Sequence, residues 1–329
     1  MEIKIPYYED NSRISNSAIG WFLKYGPQYL RDKLDGKIPD EKSSAMDRGT
    51  MIHMYLLQPH EFSSTYQVFN GLVPKSENQK KFCEELANTI ELEPNKALLS
   101  AYKASYKVTT QNDELTLSKA KEMASTYEDY IALLKSKTEK VQINQYDENM
   151  LVKIGKNVVD HKLAHKLLYP KVGENHHEFH INWEWKVSDV CDIPCKSLID
   201  CCTFDHENKI CTLVDVKTTV HIGCFEESVN TYDYTRQLYF YKCALQWYIE
   251  NELHEQSDDW QFKYYIVAID TTGRYNVRVF ELTENQLKHN QAKLTSIFKE
   301  LAYHMKHNLW EHSVEYYVID GAEKLLLDE

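Results

Sequence analysis

Asp200, in Leu198-Ile199-Asp200, and the pair Asp215 and Lys217, in Val214-Asp215-Val216-Lys217, offer two carboxylates and an amine at spacings that can do chemistry. In an extended strand, side chains two apart share a face, so Asp215 and Lys217 project together. The polar run Asp205-His206-Glu207-Asn208-Lys209 separates two apolar stretches and predicts an antiparallel hairpin. Folding about Glu207 and Asn208 sets Asp200 opposite Asp215, because cross-strand partners lie equally far from the turn. Three ionisable groups on one sheet face, among apolar neighbours, are costly unless a cation and a charged substrate complete them. Carboxylates are hard oxygen ligands suited to Mg²⁺ or Mn²⁺, which accept phosphate oxygens. The chemistry indicated is phosphodiester hydrolysis, with an activated water and a stabilised leaving oxygen. Lys217 could orient or deprotonate the water, or neutralise charge building on the phosphorus centre. The backbone carbonyl of Val216 is a further candidate ligand. A D-x-K pattern alone equally describes a surface hairpin closed by a salt bridge.

Two other groups can join this set. Gly49-Thr50-Met51-Ile52-His53 places an imidazole about one turn beyond a glycine that permits close backbone approach. A neutral imidazole ligates metals beside carboxylates, although a lone histidine on an apolar helix is usually a core residue. Gln237 and Tyr241, four apart, share a helix face and can hydrogen-bond phosphates. His176, His177 and His180 lack a carboxylate at fixed spacing and read as surface or strand residues. Tyr102-Lys103 and Tyr106-Lys107 repeat at a helical interval and describe a solvated face more readily than a base-stacking one.

Around these residues the chain first reads as helical. Ser12 to Ser17 can cap a helix through Trp21-Phe22-Leu23 that Gly26-Pro27 interrupts, and a second helix is expected from Ser44 to Leu57. Residues 75–168 read as a mainly helical insertion or lobe, with helices from Lys80, over 118–140 and over 148–168. After Pro170 strands are expected at 179–185, 196–204, 210–218, 261–270 and 275–282, with helices at 222–230, 234–252 and 284–307. The fold class is α/β (α+β): one domain over 1–329, with core sheet and helices in 174–310.

Composition narrows the partners. With 38 basic and 50 acidic residues the formal charge is −12, which excludes a non-specific, histone-like coater of nucleic acid. A groove holding cations can still accept a phosphate backbone within an acidic protein. No apolar run is long enough to span a bilayer, and no signal segment opens the chain, so a soluble, cytoplasmic protein is expected. Of eight cysteines, seven lie between Cys191 and Cys243 on expected strands and a helix, a pattern of packed, reduced thiols. Cys191 and Cys195 form only C-x3-C, without a matching second pair for zinc or an iron–sulfur cluster.

The order of these elements (G-x-x-x-H helix, D, D-x-K hairpin, Q-x-x-x-Y helix) resembles the PD-(D/E)XK nuclease superfamily, and within it the RecE (exodeoxyribonuclease VIII) and RecB-like branch. Arg48 to Phe62 is similar to its histidine helix, Ile199-Asp200 and Val214 to Thr219 to its hairpin, and Phe225 with Tyr234 to Tyr241 to the helix that follows. Ile199 stands where the superfamily's name places proline. The resemblance implies a restriction-endonuclease-like core, a small mixed sheet flanked by helices. It also implies His53, Asp200 and Asp215 as metal ligands, Lys217 as catalytic lysine, and Gln237 and Tyr241 in support. Glu178 resembles an acidic position that adds an outer ligand. Arg13, Ser15 and Ser17 would meet DNA phosphates, although a helix N-cap explains the serines equally well.

The implied activity is a Mg²⁺-dependent 5′-to-3′ exonuclease on double-stranded DNA ends, in phage-type recombination or repair. A homo-oligomer and a single-strand annealing protein as partner come with that implication. Two alternatives stand beside it: a Cas4-like or AddB-like nuclease or endonuclease, and an inactive nuclease fold that binds DNA or protein. The first is disfavoured in its iron–sulfur form, because no cysteine follows Cys243.

Overall fold

Ser15 opens the first helix, α1 (Asn16–Tyr25), by accepting a hydrogen bond from the Ala18 amide, and Gly26 ends it at φ 85°, where a side chain would be strained. Pro27 then starts α2 (Pro27–Leu34) at a position whose missing N–H costs nothing. Ser43 caps α3 (Ser44–Leu57) through the Met46 amide. The computed structural model describes residues 5–39, 43–90, 93–108, 112–187, 191–319 and 321–323. The chain divides into two units, Met1–Pro59 with Met150–Glu329, and His60–Asn149.

The smaller unit is helical. It contains α4 (Pro59–Thr65), α5 (Glu77–Asn88), α6 (Pro94–Tyr106), α7 (Asp113–Thr126) and α8 (Glu128–Ser136). Two short strands, β1 (Tyr66–Val68) and β2 (Val141–Ile143), pair in parallel. Phe82, Ala101, Tyr102, Ala120 and Ile131 form its core, and Tyr102 stacks on Tyr106 at 4.6 Å. The tyrosines of the Tyr-Lys repeat therefore pack on each other. The single helix expected over 118–140 is two, separated at Tyr127, and Lys137 ends the second in a left-handed conformation. The helices α9 (Gln145–Asp160) and α10 (Lys162–Leu168) follow, parted where His161 turns to cap α10 through the Ala164 amide.

In the larger unit, alternation gives β3 (Glu174–Val187), β4 (Cys191–Asp205) and β5 (Ile210–Thr219), joined as antiparallel neighbours. The chain then crosses through α11 (Phe225–Thr231) and α12 (Tyr234–Asn251) to β6 (Gln261–Asp270), which lies parallel to β5. A parallel pair requires such a crossover. β7 (Val277–Leu282) closes the sheet antiparallel to β6, and α13 (Glu284–His307) and the short α14 (Val314–Val318) follow. Sheet order is thus β3-β4-β5-β6-β7, a mixed α/β architecture of the class the sequence indicates.

One face of the sheet carries the main core. Cys202, Phe204, Cys211 and Leu213 pack with residues of α1, α12 and α13. Cys201 faces the other way, its thiol donating to the Leu167 carbonyl of α10. Adjacent strand residues point to opposite faces, so these two cysteines cannot approach each other. The seven cysteines whose side chains are described are free. Among the described residues no helix is long and apolar enough to cross a membrane. At the centre of the core Phe298 is fully buried, stacked on Trp185 at 4.2 Å and 6° and parallel to Phe240. Phe298→Ala is expected to cost about 3–5 kcal/mol through lost burial and the cavity left behind. Urea unfolding followed by tryptophan fluorescence measures this, and a loss near zero would contradict this packing.

Candidate active site

The β4–β5 ladder runs from Asp205↔Ile210 to Cys201↔Val214. The same register carries Asp200 and Asp215 to opposing positions just past its end. There the Asp200 carboxylate takes over from the ladder: its Oδ2 accepts the Val216 amide at 2.6 Å. Asp200 is thereby fixed by backbone, and both aspartates are buried, Asp215 to 1% exposure.

The third strand adds a carboxylate. The pairs His177↔Cys201 and Phe179↔Ile199 bracket Glu178, aligning it with Asp200. Glu178 has φ 48°, a left-handed backbone that costs a non-glycine residue roughly 1–2 kcal/mol. Such strain persists where the surroundings overdetermine it, commonly at functional sites. The imidazole comes from α3, which packs on β4 and β5. Gly49 makes the approach close: a Cβ there would lie 3.4 Å from Thr218 Oγ1. One turn on, His53 Nδ1 stands 3.7 Å from Asp200 Oδ2. Ligand atoms of His53, Glu178 and Asp200 all lie within 4.8 Å of one another.

Asp215 is not one of these three. Its Oδ1 accepts from Gln237 Nε2 at 3.1 Å, and Gln237 Nε2 also donates to the Tyr241 hydroxyl at 3.1 Å. Its buried Oδ2 has the Lys217 ammonium at 2.7 Å and, among the described residues, no hydrogen-bond partner besides. The α12 helix thus presents Gln237 and Tyr241 together to β5, as a four-residue interval requires. Lys217 also lies 4.9 Å over the Tyr234 ring, a cation–π contact absent from the expected site.

The electrostatics follow from this crowding. Burial raises the Asp215 pKa from its ordinary 3.8; Lys217 opposes that and Asp200 adds to it, leaving a net rise. Burial pulls Lys217 down, but Asp215 and Asp200 more than reverse this, holding its ammonium above the ordinary 10.5. The pair's proton therefore rests on Lys217. Burial lowers the His53 pKa, with Lys217 acting the same way against Asp200 and the Val216 carbonyl, so the ring is neutral with a lone pair to give at neutral pH. Asp200 and Asp215 thus both act on the Lys217 ammonium, and Glu178 and Asp200 share the neutral His53 ring. Hard oxygen donors, an imidazole and an under-satisfied buried carboxylate oxygen suit a divalent cation. The Val216 carbonyl accepts a hydrogen bond from the His53 ring.

The amino-terminal candidates are differently placed. The segment before α1 runs along β4 where β5 has ended, with Ile14 bridged to Cys195. Arg13 sends Nη1 to the Trp183 and Cys195 carbonyls, both at 3.4 Å, and pairs Nε with Asp10. Ser15 is buried as the cap of α1, whereas Ser17 is exposed. Tyr7, which the sequence did not single out, lies by Ser15 and Glu178: burial raises its phenol, Glu178 adds to that, and the Ser15 hydroxyl opposes it. Of the three clustered histidines, His176 binds Glu174 at 2.8 Å, His177 the Leu168 carbonyl and His180 Asn182.

A family model described as "PDDEXK-like domain of unknown function (DUF3799)" matches residues 15–316. The crystal structure of a protein described as a "Putative exonuclease", from Eubacterium rectale, superposes with a TM-score of 0.51 at 13% identity, over 100% of this chain and 96% of that one. That likeness is one of fold. A second structure, SSO0001, gives a TM-score of 0.26 at 14% identity over 67% of this chain and 84% of the other, too low to carry weight. No curated protein sequence matches the chain.

Because Asp215 binds its proton more tightly when folded than when unfolded, its ionisation should erode stability as pH rises above about 4. In EDTA, Asp215→Asn is expected to melt above the parent at pH 7 and close to it at pH 4. Thermal melts at both pH values decide this, and parallel curves would show that Asp215 is not a buried liability.

Proposed function

The chain belongs to the PDDEXK-like family DUF3799, and from that premise we propose that it is a divalent-cation-dependent deoxyribonuclease. The observation that carries the reading is the convergence of Glu178, Asp200 and His53 within 4.8 Å, next to a buried Asp215–Lys217 pair. Mg²⁺ or Mn²⁺ would be held by His53, Asp200, Glu178 and Asp215, with the Val216 carbonyl in reach. When bound, such an ion lowers the pKa of an attacking water and offsets charge on the leaving oxygen.

The chain's own residues have the remaining work. The Val216 amide keeps the Asp200 oxygen aimed, and Gln237 does the same for Asp215 while linking it to Tyr241. Lys217, protonated beside Asp215, neutralises charge gathering on the phosphate in the transition state; its raised pKa favours this over deprotonating water. Neutral His53 donates a lone pair rather than a proton.

The finer reading is an exonuclease of the RecE type acting 5′-to-3′ on duplex ends, in phage-type recombination or repair, as a homo-oligomer that hands single strands to an annealing protein. The hairpin and histidine-helix motifs support it, and the related fold of the E. rectale protein, described as a "Putative exonuclease", is in keeping with it. Arg13, Ser15 and Ser17 remain proposed phosphate contacts, Ser17 being the exposed one.

The test is digestion of linear and circular duplexes, with label and phosphate at one end only, in Mg²⁺ and in EDTA. Terminal label should be released from linear DNA with circles spared, and EDTA should abolish release. Asp200→Ala and Asp215→Ala should lose activity by at least about 1,000-fold, and Lys217→Ala by about 100- to 1,000-fold. Cut circles would move the assignment to an endonuclease, and cleavage unaffected by Asp215→Ala would sink the site.

A further inference from the structure

A file of aromatic rings runs from the core to the surface beside Lys217. Phe280 and Phe225 stack at 5.0 Å and 21°, Phe225 and Tyr234 at 6.0 Å and 29°, and Tyr234 and Tyr232 at 5.7 Å and 24°. All three steps are near-parallel offset arrangements, the geometry aromatic pairs prefer. Phe280 is half-buried and Phe225 is 1% exposed; from there exposure rises through half-buried Tyr234 to Tyr232 at 64%. Asp233 produces the last step by turning the backbone left-handed at φ 53°, and it is clamped there by Arg236 at 3.1 Å and Lys293 at 2.6 Å. One flank of the exposed ring is thus braced by a rigid stack. Lys217 sits 4.9 Å over Tyr234, one ring away.

A large aromatic surface held open next to an ammonium suits a flat ring attached to an anion. We propose that Tyr232 is a stacking platform for an unpaired nucleobase of the strand whose phosphate lies at Lys217. This rests on the nuclease reading and narrows its substrate, because a base stacked on Tyr232 has left its own duplex. The DNA in the site is then single-stranded, or frayed, for at least that nucleotide. Base–aromatic stacking tolerates any sequence, so the platform would not select among bases.

The test measures binding of a fluorescein-labelled single-stranded oligonucleotide to the full chain by anisotropy, with Ca²⁺ replacing Mg²⁺. Tyr232→Ala should weaken binding about 5- to 100-fold, the range alanine substitution of base-stacking rings gives, and Tyr232→Phe should retain it. Tyr232 is exposed, so neither variant should alter the melting temperature appreciably. A single abasic residue walked along the oligonucleotide should, at one position, weaken the parent by a similar factor and leave Tyr232→Ala unchanged, because the interaction is already gone. Parent-like binding by Tyr232→Ala, or abasic losses that multiply with it at every position, would overturn the platform. So would a changed oligomeric state with DNA binding intact, which would make the ring a protein contact. Coupled binding without any cleavage in Mg²⁺ would instead sink the nuclease reading and leave the platform standing.

Discussion

Buried negative charge on adjacent strands is the constraint around which the larger unit is organised. Asp200 and Asp215 are both shielded from water, and the Lys217 ammonium interacts with both. An isolated carboxylate in such surroundings would protonate or draw in water. Here each is held by a donor from a different element: the Val216 amide for Asp200, and the Gln237 amide for Asp215. The His53 ring closes a third side, and burial keeps it neutral. The result is a concentrated, oriented electronegative site, unfavourable for the fold alone and suited to a divalent cation.

The fold supplies what that arrangement requires. The parallel placement of β6 beside β5 forces a crossover, and that crossover contains α12, which delivers Gln237 and Tyr241 to the central strand. The close approach of α3 at Gly49 delivers His53 from the other end of the sequence. Behind these elements, Trp185, Phe240 and Phe298 stack in a core that stabilises the unit and offsets the electrostatic burden. Burying the Asp215 carboxylate works against stability, a cost that the proposed active role would account for.

Much of this was legible before any coordinates. The hairpin register followed from the turn and the alternation, since a one-residue slip would expose Cys202, Phe204, Cys211 and Leu213. The strand at 261–270 and the helix at 284–307 have the expected bounds, the latter begun by a Thr283–Gln286 capping box. Breaks in long helical stretches were less visible: nothing in the pattern marks Tyr127 or His161 as ends. The parallel pair β1–β2 joins segments more than 70 residues apart, and local periodicity carries no information about such a partner. His176 has a carboxylate partner after all, Glu174 two residues back on the same strand, whereas His177 and His180 bind a carbonyl and an amide.

What the sequence by itself determined is the set of chemical groups and their local spacing, because strand and helix periods are properties of the backbone. D-x-K shares a strand face and Q-x-x-x-Y a helix face in any fold that keeps those elements. Tertiary structure alone decided how these groups meet. It brought Glu178, through an unfavourable left-handed turn of its backbone, into the same cluster as His53 and Asp200, and it left Asp215 with Lys217 and Gln237. It also joined Phe280 of β7 to Tyr232 through Phe225 and Tyr234, the ring over which Lys217 lies. Those contacts depend on packing between distant segments and on the balance of burial against charge, neither of which a linear pattern contains.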